Sequence, residues 1–176
     1  MTMNKRKIVR FIIDIIIIGL LVAVDQFTKM LAVAALKDKP AIKIIDRVFE
    51  LSYLENRGAA FGMLQNQKIY FVIIALIMCI VVCYMLLKMP LETKYFILRM
   101  CMVLIGAGAI GNLIDRLTLN YVVDFFYFSL INFPIFNVAD IYVSVSCVVL
   151  AIVILFVYKD EELSFVRFKK DNNGEV

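Results

Sequence analysis

Apolar residues run without a charge or a strongly polar group from Ile69 to Leu87, 19 positions. At helical rise such a run covers about 28 Å, close to the hydrocarbon thickness of a bilayer. Three other stretches share the character with interruptions. Ile141 to Tyr158 is broken only by Ser144 and Ser146, Phe96 to Ile114 carries Arg99 and Asn112, and Phe11 to Leu36 carries Asp14, Asp25, Gln26 and Lys29. The pattern predicts four membrane spans, approximately 11–36, 69–87, 96–114 and 141–158. Between the first two the period changes. Phe49, Leu51 and Tyr53 alternate with Glu50 and Ser52, which is strand spacing, and Ile42 to Ile45 is a second short β-rich run behind Pro40. Val122, Val123 and the aromatic run Phe125 to Phe128 suit a further strand or an interfacial belt. The expected fold class is therefore an all-α membrane protein: four transmembrane helices with a small extracytoplasmic β-sheet, in a single domain over residues 1–176. The last residues, Asp171 to Val176, read as disordered.

Composition sharpens the picture. The chain is 63% hydrophobic and 19% charged, with a mean hydropathy of +0.90. A soluble domain is nearer half apolar and a quarter charged, so the excess points to lipid as the solvent. The net charge of +4 gathers at the chain ends and reads as an orientation signal, not as a nucleic-acid footprint. Lys5, Arg6, Lys7 and Arg10 precede the first span, Lys88 and Lys94 flank the middle loop, and Lys159, Arg167, Lys169 and Lys170 follow the last. By the positive-inside rule both termini and the middle loop are cytoplasmic. The loop over 37–68 is the outlier, with six basic and four acidic residues. The first span has the basic start and apolar run of a signal peptide, but Asp25 and Lys29 would lie between that run and any cut site, so it is expected to be retained.

The chain has no His, which removes Ser-His and Cys-His catalysis and the His-containing zinc motifs. Cys79, Cys83, Cys101 and Cys147 lie within apolar runs and read as buried packing thiols. No metal and no cofactor is expected.

Charges within a membrane cost about 2.5–3.5 kcal/mol each at mid-helix on insertion scales, so their placement is informative. In the topology above, Asp25 and Lys29 fall in the outer half of the first span. Asn112, Asp115 and Arg116 end the third, Asn137 and Asp140 open the fourth, and Asp124 lies between these two. Four carboxylates then share one shallow layer near the outer face. Singly each has a plain reading. Asn137 and Asp140 suit a helix N-cap with an acid in the first turn, Asp25 and Lys29 an i,i+4 ion pair, Asp115 and Arg116 the water interface, and Asp124 a loop acid. Together they favour a site. Two close carboxylates share a proton: the ionised one can take a proton from attacking water, and the protonated one can polarise a peptide carbonyl. The alternative is an ion- or proton-coupled transporter using the same carboxylates, and a further one is a non-catalytic scaffold. Asp14 and Arg99, near the cytoplasmic face, either pair across the bundle or snorkel separately, Asp14 toward Arg10.

Five ordered motifs bear a family resemblance. Asp25-Gln26-Phe27-Thr28-Lys29, Asn56-Arg57-Gly58-Ala59-Ala60-Phe61-Gly62, Gly111-Asn112-Leu113-Ile114-Asp115-Arg116, Val122-Val123-Asp124-Phe125 and Phe136-Asn137-Val138-Ala139-Asp140 resemble those of signal peptidase II, over about residues 10 to 160. The resemblance implies a membrane aspartic endopeptidase with a catalytic pair at Asp124 and Asp140. It implies supporting roles for Asp25, Lys29, Asn56, Gly58, Asn112, Asp115, Arg116 and Asn137. The implied substrate is a diacylglyceryl-modified bacterial prolipoprotein, cut before the lipidated Cys on the outer face of the cytoplasmic membrane. The implied partners are that signal peptide and membrane lipid, with the enzyme a monomer. Two positions depart from the pattern. Asn120 stands where Gly is usual before the Val-Val-Asp-Phe motif, and Asn also suits a left-handed turn. Ser146 stands where Gly is common in the last helix, which bears on packing.

Overall fold

A single long helix, α1 (Lys5–Leu36), opens the chain and carries three charged side chains, Asp14, Asp25 and Lys29, on its buried face. The computed structural model describes residues 5–58, 67–159, 161–163 and 165. Strands β1 (Ile42–Ile45) and β2 (Phe49–Asn56) follow, then α2 (Lys68–Lys88), a short 3-10 turn at Thr93–Tyr95 and α3 (Phe96–Thr118). Strand β3 (Val122–Tyr127), a second 3-10 turn at Ser129–Ile131 and α4 (Val138–Phe156) complete the order. The tail reading at 171–176 and residues 59–62 of the second motif lie outside the described residues.

Among the described residues, three helical segments are long and apolar enough to cross a membrane: Lys68–Lys88, Thr93–Thr118 and Val138–Phe156. They match the expected spans 69–87, 96–114 and 141–158 to within a few residues. The middle one is central. α3 buries twelve residues, whereas α2 buries only Val82 and Leu86, and α4 only Ala139, Ser146 and Val153. The outward faces of α1, α2 and α4 carry exposed Ile, Leu and Val along their length, such as Ile16, Leu20, Ile80, Val148 and Ile152. A helix that is apolar outside as well as inside belongs in lipid, and the protein is an integral membrane protein.

The core has two parts. One packs Ile18 of α1, Val82 and Leu86 of α2 and Leu98, Val103 and Ala107 of α3 between the helices. The other joins the end of α1 to the sheet through Ala32, Leu36, Val123 and Phe125. The sheet has the order β1-β2-β3, antiparallel throughout. Val122 pairs with Asn56 and Asp124 with Leu54, so the β2–β3 register sets Asn56 beside the carboxylate it serves. Four described non-glycine residues, Asp38, Arg47, Asn120 and Asn132, are left-handed. Asn120 takes φ 69° in the turn from α3 into β3, as its residue type allows, and Arg47 takes φ 57° between β1 and β2.

The cysteine expectation is corrected. Cys101 is buried against neighbouring helices, but Cys83 and Cys147 are exposed and Cys79 is intermediate. An apolar run places a thiol in the membrane without saying which face of the helix it occupies. Three of the four are on or near the lipid-facing sides.

Candidate active site

The polar side chains of the motifs converge where the ends of α1 and α3, the start of α4 and β3 meet. α4 begins with a capping box. Asn137 accepts the Asp140 backbone N–H at 3.0 Å, and Asp140 Oδ2 accepts the Asn137 backbone N–H at 3.1 Å. Asp140 is thus pinned in the first turn, as the plain reading of these residues has it, and still presents its carboxyl to its neighbours. Asn137 reaches further. Its amide donates to Asp124 Oδ1 at 2.6 Å and to Asn112 Oδ1 at 3.1 Å, so one wholly buried side chain links the two acids. Asn56 donates to Asp124 Oδ2 at 2.8 Å, and Asn112 donates to Asp140 Oδ1 at 2.8 Å. Each carboxylate therefore has its own Asn donor, and Asn137 bridges them.

Behind this pair lies a buried ionic cluster. Lys29 Nζ is 2.9 Å from Asp25 Oδ2, 3.0 Å from Asp115 Oδ2 and 2.9 Å from Asn112 Oδ1. Its three protons have three acceptors, so no buried donor is left unmade. Asp25 also accepts the Ala139 backbone N–H at 2.9 Å, and Asp115 the Val123 backbone N–H at 3.1 Å. Gly111 makes room for this: a Cβ there would stand 2.5 Å from Asp25 Oδ2. Gly108 acts likewise for α4, where a Cβ would stand 2.5 Å from the Ala139 carbonyl oxygen.

A cavity of about 310 Å³ opens onto Asp124 and Asp140, walled by Asn56, Gly58, Asn112, Arg116 and the segment Phe133 to Phe136. Arg116 sits at its mouth, 4.8 Å from the Phe71 ring centroid, and donates to the Asn112 carbonyl at 3.2 Å. The Gly58 N–H donates to Asn56 Oδ1, which orients the amide that Asp124 accepts. Asp124 is 1% exposed. Burial first, and then the charge of Asp140, raises its carboxyl pKa from the ordinary carboxylate range to about 7; the Asn56 and Asn137 donors and Lys29 oppose the rise. Such a pair holds one proton readily near neutral pH and can offer an acid and a base to one substrate bond. Among the described residues, no group of three or more His, Cys, Asp or Glu side chains is arranged to hold a metal ion.

All ten residues singled out in the sequence lie in this region. Asp25, Lys29, Asn56, Asn112, Asp115, Asp124, Asn137 and Asp140 form one connected network, with Gly58 at its edge and Arg116 at the cavity mouth. Sequence reasoning missed the part played by Gln26. Its amide donates to the Gly111 carbonyl at 3.1 Å and to Asp115 Oδ1 at 2.9 Å, tying α1 to α3. A polar residue within an apolar span, next to Asp25, was the available signal. Phe71, which stacks under Arg116, had none: it is one aromatic in an unbroken apolar run.

The family described as signal peptidase (SPase) II matches residues 17–156. The chain is 44% identical over 143 residues to the lipoprotein signal peptidase of Caldanaerobacter subterraneus subsp. tengcongensis, covering 81% of this chain and 95% of that one. It is 44% identical over 142 residues to that of Clostridioides difficile, covering 81% and 94%. A bacterial membrane enzyme solved by the in meso method at 1.9 Å superposes with a TM-score of 0.70 at 29% identity, over 82% of this chain and 94% of that chain.

Proposed function

Because the chain belongs to the signal peptidase II family, we propose that it is a membrane aspartic endopeptidase that removes the signal peptide from diacylglyceryl-modified bacterial prolipoproteins. The observation that carries the reading is the joining of Asp124 and Asp140 through Asn137 at the floor of one cavity. Asp124 and Asp140 are the catalytic residues. With one proton shared between them, the ionised carboxylate takes a proton from water as the water attacks the scissile carbonyl, and the protonated one donates to that carbonyl oxygen. Collapse of the tetrahedral intermediate transfers a proton to the leaving nitrogen and frees the signal peptide. The cut falls before the lipidated Cys, and the diacylglyceryl chains remain in the bilayer beside the cavity.

α1 is a fourth span, with residues 11–36 in the membrane. Its inward charges are then paired within the bundle, which is how buried charges are tolerated in lipid. Both termini are cytoplasmic and the cavity lies near the outer face. The protein acts as a monomer and needs no metal or cofactor. The site offers an ion-coupled transporter less: the acids sit at helix ends, not at interrupted helices near the midplane.

The test is to mix purified protein with a diacylglyceryl-modified precursor and with the same precursor unmodified. The modified precursor is expected to yield a shortened product beginning at the lipidated Cys, in EDTA as well as without it. No product from the modified precursor, or activity lost in EDTA and restored by a divalent ion, contradicts the reading.

A further inference from the structure

The ionic cluster has a symmetry of connection. Asp25 accepts the backbone N–H of Ala139, the residue immediately before Asp140. Asp115 accepts the backbone N–H of Val123, the residue immediately before Asp124. One carboxylate thus holds the main chain beside each acid of the pair, from a different helix in each case, α1 for one and α3 for the other. Lys29 touches both, at 2.9 and 3.0 Å, and its third proton goes to Asn112, which in turn donates to Asp140; the Gln26 amide also donates to both tethers, at 3.2 and 2.9 Å, but does not reach Asn112. Its side chain is 3% exposed, so no water competes for these bonds.

Resting on the assignment of Asp124 and Asp140 as the catalytic pair, we propose that Lys29 is a positioning residue that fixes the spacing of the two acids. It does so by clamping the two carboxylates that hold the backbone on either side of them. A charge placed only to neutralise Asp25 and Asp115 would need no bond to Asn112. The arrangement is a tripod with each leg ending on one half of the site. β3 and the start of α4 are joined directly through Asn137 and the Phe126–Phe136 bridge, and the buried tripod adds bonds from α1 and α3 to the backbone beside each acid.

Removing the tripod leaves the cavity walls and their contacts with substrate in place. Its loss therefore appears in the chemical step and not in binding. Displacement of reacting groups by about 1 Å lowers rates by roughly 100-fold. The experiment compares Lys29→Met, Asp25→Asn and Asp115→Asn with the intact protein, each purified in detergent, checked for folding by thermal melting, and assayed on lipidated precursor for kcat and KM separately. Asp124→Asn and Asp140→Asn are included as reference arms. Each folded tether variant is expected to lose roughly 10- to 100-fold in kcat with KM within about threefold of the intact protein. A kcat within about threefold of the intact protein in the folded variants overturns the positioning role. So does an equal loss through KM, or failure of all three to fold, which would make the cluster a folding requirement only. If Asp124→Asn or Asp140→Asn cleaves normally, the assignment of the catalytic pair fails, whatever the tether variants do.

Discussion

At the residue scale the site is a set of carboxylates sorted by their partners. Asp25 and Asp115 face a Lys and backbone N–H groups. Asp124 faces two Asn amides, Asp140 one Asn amide and the Asn137 backbone N–H, and both line a cavity. Asp124, raised to about 7 by burial and by Asp140, carries its proton below that pH and loses it above. Once both acids are ionised there is no acid to polarise the carbonyl. Cleavage is therefore expected to fall on the alkaline side, roughly tenfold per pH unit beyond about 7, in a kcat/KM profile, which reports the free protein. A rate that stays flat from pH 7 to 9 contradicts that assignment of the proton. Asn137 offers a second check. Losing an N-cap costs about 1 kcal/mol of stability, a modest amount. Asn137→Ala also cuts the bridge between the acids, so kcat is expected to drop by roughly 100-fold while melting shifts by only a few degrees. Cleavage lost only in proportion to lost folded protein would make Asn137 a cap and nothing more.

At the element scale the helices are held by charge at both ends of the bundle. Toward the chain termini, Arg99 of α3 donates to Asp14 of α1 and to the Leu86 and Met89 carbonyls at the end of α2, at 3.4 and 3.3 Å. Arg10 adds a contact to Asp14 at 3.3 Å. Of the two readings left open by the sequence, the pair across the bundle is present and separate snorkelling is not, since Asp14 and Arg99 are both buried; Asp14 also keeps the contact with Arg10 one turn back. A double-mutant cycle with Asp14→Asn and Arg99→Gln, read on thermal stability, is expected to show coupling of roughly 0.5–3 kcal/mol, and strict additivity would exclude the pair. In α4, the buried Ser146 hydroxyl has no hydrogen-bond partner among the described residues. Ser146→Ala is expected to leave stability unchanged or raise it by up to about 1 kcal/mol, a direction opposite to that of most buried substitutions; a clear loss of stability would reveal a bond formed in the membrane. The helices and strands were legible because lipid imposes a long apolar period and the sheet an alternating one. The acids were legible because a charge in an apolar span is conspicuous. The rest was not. Nothing in the order of residues says that Asp25 reaches the Ala139 N–H across 114 positions of chain, or that Cys83 and Cys147 face outward while Cys101 faces in. Those facts depend on helix rotation, which an all-round apolar helix does not encode.

At the scale of the whole molecule, the apolar α2 and α4 and the long α1 surround a central α3, with the sheet packed over one end. The proposed orientation places Lys170 inside and Glu55 outside. Cysteine probes at these positions, in a background without the native thiols, are expected to label from the inner and outer sides respectively; labelling of position 170 from outside reverses the bundle. In the proposed reading the cavity takes a bilayer-held substrate to Asp124 and Asp140. The measurement that tests this most directly is cleavage of purified lipidated precursor by the intact protein, Asp124→Asn and Asp140→Asn at equal folded concentration in the same membrane. The intact protein is expected to release the signal peptide and both variants, folded and inserted, to release none above background; near-normal release by either variant would contradict the account.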